Sequence, residues 1–312
     1  MRSTLSGFGE GLLGTGRKRN DVVLLHADMV DAEVITPFSL EFPERTINCG
    51  VSEQDMVMTA AGLSLGGKIP VAVSYSAFLT ARSFDQIRTC LAIPGLQAVL
   101  VGTHSGLSAG EEGATHQMNQ DVALMRSLPD MSVLVPSDYA SSSAMAGIAC
   151  GHPGPVYLRL GRDEVPDIGI LDESEMRIGG GRALVDGDGV TICACGIMVH
   201  EAMKAAAILS QQGINAEVID CFSLKPLPSQ LILASLRRTG CCVVAEEHNI
   251  IGGLGEAIAA LSASENPVPV RFVAVSDRYG QSGTPSELQE YYGLTFREIV
   301  GESAQVWSLR RR

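Results

Sequence analysis

Short apolar runs separated by stretches of helical spacing recur along most of this sequence, and that alternation restricts the fold more than any other feature. Val22 to His26, Val71 to Tyr75, Gln97 to Gly102, Ser132 to Pro136 and Val156 to Leu160 read as strands, with residues 8 to 19, 78 to 93, 118 to 128 and 139 to 150 as helices among them. Strands that are apolar on both faces need cover on both faces, so the pattern predicts a mainly parallel sheet between two layers of helices. A charged, Pro-containing stretch then intervenes, Arg162-Asp163-Glu164-Val165-Pro166-Asp167 and Asp172 to Glu175. After it the alternation resumes with strands at Arg182 to Asp186, Val190 to Cys195, Ala216 to Asp220, Cys241 to Glu246 and Val270 to Val275. Helices at Val199 to Gln212, Pro228 to Arg237 and Gly255 to Ser264 separate them. The expectation is two tandem α/β domains, residues 1–168 and 169–312.

Charge narrows the partners. With 35 acidic against 23 basic residues the net charge is -12, and the basic residues form no long stripe, the run Arg310-Arg311-Arg312 included. That balance argues against nucleic acid and leaves small molecules or other proteins. No signal peptide and no apolar run of membrane-spanning length is present, so a cytoplasmic protein is expected. The eight Cys lack the paired spacing of a zinc site and read as small core residues in a reducing compartment, with Cys241-Cys242 on a strand.

Ligands of open α/β sheets bind beyond the carboxyl ends of the strands, which directs attention to a few stretches. In Asn48-Cys49-Gly50-Val51-Ser52-Glu53-Gln54-Asp55-Met56, Ser52 reads as an N-cap with Asp55 completing a capping box, and Gly66-Gly67 stop the helix. Glu53 then stands at the first helical position, where the helix dipole favours its carboxylate. After the strand ending at Gly102 comes a long Gly-rich loop, Thr103 to Gln117, holding His104, Glu111, Glu112 and His116. A loop of that length with converging polar groups marks a site.

Taken together, Gly50-Val-Ser-Glu-Gln-Asp-Met56, Tyr75-Ser-Ala-Phe-Leu79, Gly110-Glu-Glu-Gly-Ala-Thr-His-Gln117, Ser127-Leu-Pro-Asp-Met131 and Val135-Pro-Ser-Asp138 resemble the pyrimidine-binding domain of transketolases. Glu246-Glu-His-Asn-Ile-Ile-Gly-Gly-Leu-Gly255 and Ser282-Gly-Thr-Pro-Ser-Glu287 resemble their C-terminal domain. The resemblance covers nearly the whole chain, and parts of it are shared with deoxyxylulose-phosphate synthase and the β-subunit of 2-oxoacid dehydrogenases.

The resemblance implies thiamine diphosphate as cofactor. It makes Glu53 the carboxylate that meets the aminopyrimidine nitrogen, with Phe78 and Phe84 packing on the pyrimidine and Asp28 near the thiazolium ring. It assigns His116 to proton transfer at the substrate carbonyl, and His104 and Arg162 to the acceptor's phosphate. Glu112 replaces the usual Asp, and Ala81 replaces a third aromatic. Around the N-terminus Leu5 stands where many relatives have Arg, and Asp31 and Glu33 add charge near the anion site, which predicts weaker use of sugar-phosphate acceptors. Gly187-Asp188-Gly189 followed by Asn215 imitates the diphosphate and metal motif, but it reads as a tight turn between strands rather than a strand-to-helix loop. The chain is therefore expected to hold no metal itself.

The function implied is that of the smaller subunit of a split transketolase, moving a two-carbon ketol unit from a ketose to an aldehyde. An N-terminal subunit would hold the diphosphate and its Mg²⁺ or Ca²⁺ in an α2β2 assembly. Two alternatives stand beside it, another acyl-anion transfer (deoxyxylulose-phosphate-synthase-like or in secondary metabolism) and a non-catalytic scaffold subunit.

Overall fold

The computed structural model describes residues 1–29, 32–169 and 175–310; Asp31, Asp172, Arg311 and Arg312 lie outside them. In chain order the strands are β1 (Arg2–Ser3), β2 (Val22–His26), β3 (Thr46–Asn48), β4 (Ile69–Tyr75), β5 (Ala98–Thr103), β6 (Ser132–Leu134), β7 (Pro155–Arg159) and β8 (Glu164–Val165), then β9 (Arg182–Val185), β10 (Val190–Ala194), β11 (Ala216–Asp220), β12 (Ser223–Lys225), β13 (Cys242–Asn249) and β14 (Val270–Val275). One sheet runs β12-β6-β7-β5-β4-β2-β3 and is parallel except at its edge strand β12. A second runs β14-β13-β10-β11-β9 and is parallel except at β9. β5 and β7 are buried along their whole length, as strands covered on both faces must be.

One face of the larger sheet is covered by helix Thr4–Lys18 against helix Tyr139–Gly151. The two backbones touch. A Cβ on Gly7 would stand 2.4 Å from the Tyr139 carbonyl oxygen, and one on Gly11, a turn later, 2.2 Å from that of Ser143. Leu5, Phe8 and Leu12 fill the space beneath, each 2 % exposed or less. The second helix is fastened at its start by a capping box between Asp138 and Ser141.

Several expectations need amending. β12 follows the second unit's β11 but pairs with β6 of the first sheet, and Val135 N–H donates to the Phe222 carbonyl at 2.8 Å. Helices Pro285–Tyr292 and Phe296–Ser308 close the chain and pack on the second sheet. The segment expected as one helix over 78 to 93 is irregular, with π-type winding at Ala77–Arg82 and Ile87–Ala92 around a single α turn at Phe84–Gln86. Ser52 does precede a helix beginning at Glu53, but its hydroxyl makes no cap and no capping box with Asp55 forms. Its ψ of 63° lies outside the extended range that aims an N-cap hydroxyl at the first turn.

Cys150, Cys193 and Cys195 are buried as expected, while Cys49 and Cys90 are partly exposed. Among the described residues no helix is long and apolar enough to cross a membrane.

Candidate active site

Five parallel strands of the larger sheet end on one side, and the residues just past them line a cavity of about 430 Å³. Asp28 comes from the end of β2, Glu53 from the turn after β3, Ser74, Tyr75 and Phe78 from β4 and its sequel, His104 from β5, and Arg162 from beyond β7; Glu112 and His116 descend from the loop after β5. Of the residues to which the resemblance gave a role at the cofactor or substrate, Phe84 alone stays outside this lining. Six residues after Phe78 is roughly one and two-thirds turns of a helix, which sends the two rings to different faces. Phe84 accordingly packs, half-buried, against the apolar core.

Glu53 is 1 % exposed. Its Oε2 accepts from Arg82 Nη1 at 2.6 Å and its Oε1 from Ser74 Oγ at 3.4 Å. A carboxylate at such depth needs a partner, and here the Arg82 guanidinium supplies it.

Aromatic rings form one wall. Tyr75 stacks on His104 with centroids 4.0 Å apart and lies nearly parallel to Phe78 at 6.1 Å. His116 meets Phe78 edge-on at 5.1 Å. Tyr75 was not singled out from the sequence as a site residue, although its place at a strand's carboxyl end was the available signal. Burial, then the nearby Arg162 and His116, pushes His104 down to about 4, so its imidazole is neutral near pH 7 and acts by hydrogen bonding.

Two lining residues sit in the left-handed region, Asp28 at φ 51° and His104 at φ 52°. Non-glycine residues rarely stay there unless their surroundings hold them, and such strain collects at functional sites. Asn48 holds Asp28 from both sides: its Oδ1 accepts from the Asp28 N–H at 3.1 Å and its Nδ2 donates to Asp28 Oδ1 at 2.9 Å.

The loop over 104–117 is pinned rather than loose. A bridge joins Gly106 to Met118, and a 3₁₀ turn spans Gly110–Glu112. Gln117 Nε2 donates to the Gly110 carbonyl at 3.0 Å and to that of Gln281, in the second unit, at 2.9 Å. Glu247 of β13 accepts from the Leu107 N–H, and Arg159, beside it, donates to Asp121 Oδ2 at 2.8 Å and to the Glu247 carbonyl at 2.9 Å. The second unit thus buttresses the loop that carries both histidines. Nothing in the local sequence announces the partners in the second unit, because those contacts join residues 88 to 164 positions apart.

Glu33 accepts a hydrogen bond from Ser3 Oγ at the start of the first helix, and Leu5 is buried in the core, so neither lines the cavity. Asp188 and Asn215 do lie together, with Nδ2 to Oδ1 at 3.4 Å, in the turns that precede β10 and β11. Those are the amino ends of the strands, away from the cavity.

The chain was then compared with known proteins. Residues 1–167 match the family described as transketolase, pyrimidine binding domain, and residues 179–299 that described as transketolase, C-terminal domain. A 6-deoxy-6-sulfo-D-fructose transketolase subunit, SqwH, from Clostridium sp. strain MSTE9 is 40% identical, the alignment covering 95% of this chain and 91% of that one. Transketolase-like protein 2 of Mus musculus is 36% identical over 96% of this chain but only 48% of its own length. A solved structure titled split gene transketolase, inactive beta4 tetramer, superposes with a TM-score of 0.92 at 41% identity, covering 100% of both chains.

Proposed function

Since this chain belongs to the transketolase family, we propose that it is the pyrimidine-binding subunit of a two-component transketolase, active with a partner chain that carries the diphosphate-binding domain. The observation that carries the reading is Glu53, a buried carboxylate at a helix start on the wall of a cavity faced with aromatic rings. Among the described residues its Oε1 has only a long contact from Ser74, which leaves it able to accept a proton-bearing ring nitrogen.

The cavity residues fit the aminopyrimidine half of thiamine diphosphate. When bound, that cofactor supplies a stabilised carbanion that accepts and passes on a two-carbon ketol unit. Glu53 holds the ring-nitrogen proton, and Phe78 packs against the pyrimidine face. Asp28, on the cavity wall, would stand near the thiazolium ring. His116 moves a proton at the substrate carbonyl, and neutral His104, with Arg162 and Glu112, orients the acceptor through hydrogen bonds and charge. Arg162 gives the pocket a guanidinium able to bind an acidic group on the acceptor.

We assign the diphosphate and its divalent cation to the partner, in an α2β2 assembly whose sites lie between chains. The similar length of relatives named as a transketolase subunit and a split gene transketolase supports this division. Calorimetry tests it. Thiamine diphosphate with Mg²⁺ should bind tightly to the co-purified pair and weakly to this chain alone, and light scattering of the pair should give a heterotetramer. Micromolar binding by the isolated chain would overturn the split-site reading.

A further inference from the structure

We propose that Arg82 is the positioning residue for Glu53, a cation that engages the carboxylate at Oε2 so that Oε1 is left for the cofactor's ring nitrogen. The inference rests on the reading of Glu53 given above and adds a residue to it.

The geometry has three parts. Among the described residues, Ser74 and Arg82 are the side chains that hydrogen-bond Glu53, and Arg82 brings the charge, with Nη1 to Oε2 at 2.6 Å. Exposure within the pair is lopsided: the Glu53 side chain is 2% exposed and that of Arg82 45%, so the guanidinium reaches inward from the rim to a carboxylate that water does not reach. Finally, Arg82 is fixed at both ends. Its guanidinium lies 4.7 Å from the Phe78 ring centroid, and its carbonyl accepts from Gln54 Nε2 at 3.2 Å, from the residue next to Glu53.

Spacing brings this about. Arg82 closes the π-type stretch Ala77–Arg82 and, four residues after Phe78, lies on the same side of that turn. One short segment therefore supplies both the ring expected against the pyrimidine and the cation that orders the carboxylate beneath it.

A fixed positive charge beside the pair formed by Glu53 and the ring nitrogen opposes the addition of further protons and eases their loss. Asp28, His104, Glu112, His116 and Arg162 also face the cavity, and Asp55 lies on the Glu53 helix; all are unchanged in the Arg82 variants.

The test uses the reconstituted pair loaded with ¹⁵N-labelled thiamine diphosphate and follows the ring-nitrogen resonance against pH, beside steady-state kinetics. Arg82→Ala should move the titration upward by about one unit or more. It should lower kcat about tenfold with little change in donor KM, while Arg82→Lys moves less than half as far. Because Arg82 lies at the surface, circular dichroism should show both variants folded. An unchanged titration in Arg82→Ala, alongside a large effect of Glu53→Gln, overturns the role of Arg82 alone. If Lys behaves like Ala, packing on Phe78 rather than charge is responsible, and the proposal fails. If Glu53→Gln also leaves the titration unmoved, the reading of Glu53 itself fails.

Discussion

Glu247, on the second sheet, accepts a hydrogen bond from the Leu107 N–H at 2.9 Å and so grips the loop that bears His104 and His116. Burial pushes its carboxyl from 4.5 up to about 7, against the opposing pull of Arg159 and of the Leu107 N–H. With the folded value raised, the native state binds more protons than the unfolded chain between those limits. Its contribution to stability is present in full below about pH 4.5 and is lost as pH rises through 7. Glu247→Gln should flatten this part of the pH dependence, worth at most about 3 kcal/mol. Guanidinium unfolding of both proteins at pH 5 and pH 8 checks it. Equal pH slopes would refute the assignment.

The second cross-domain grip can be tested sterically. A Cβ on Gly280 would lie 1.6 Å from Gln117 Oε1, so Gly280→Ala must swing the amide off the Gly110 and Gln281 carbonyls. Losing those bonds should cost about 1–3 kcal/mol. Because Gln117 follows His116 directly, kcat of the reconstituted pair should also fall. Thermal unfolding and kinetics together measure both effects.

Glu53→Gln should leave the fold intact and reduce activity about a hundredfold or more, since an amide cannot hold the ring nitrogen protonated. Exchange of the cofactor's C2 proton, followed by NMR in the assembled enzyme, should slow in parallel. Exchange at the wild-type rate would leave Glu53 with a purely structural part.

Phe78 and Phe84 make a paired experiment. Phe78→Ala removes a ring that faces the cavity and touches Tyr75, His116 and Arg82, and should weaken cofactor binding by about 1 kcal/mol, roughly fivefold. Phe84→Ala removes a ring packed on the core and should instead lower stability by about 3 kcal/mol. Titration calorimetry and denaturant curves separate the two.

Which parts of this molecule the sequence could disclose depends on range. The strands and most helices were legible because their apolar spacing is local: Val22–His26, Ala216–Asp220 and Val270–Val275 fall on the expected residues. Strand ends then pointed to Glu53 and His104, the resemblance to Asp28 and Arg162, and all four meet in one cavity. Winding was not legible, since nothing in Ala77–Arg82 distinguishes π from α spacing by composition; Phe84 was set beside Phe78 by the resemblance, against a six-residue spacing that turns the two rings apart. The buttress formed by Glu247, Gln117 and Gly280 was hidden for another reason. It depends on two sheets meeting, which no window of neighbouring residues records.

That meeting also sets where this chain can be cut. β12 is made by residues 223–225 yet completes the edge of the sheet built from the first half. A fragment ended near residue 168 would leave β6 with a bare row of backbone donors and acceptors, inviting strand addition from another molecule. The converse fragment would carry an unpaired three-residue strand with nothing to bind. Gene fusion or exchange between relatives would therefore succeed more readily by moving both halves as a single cassette than by swapping one at the apparent linker.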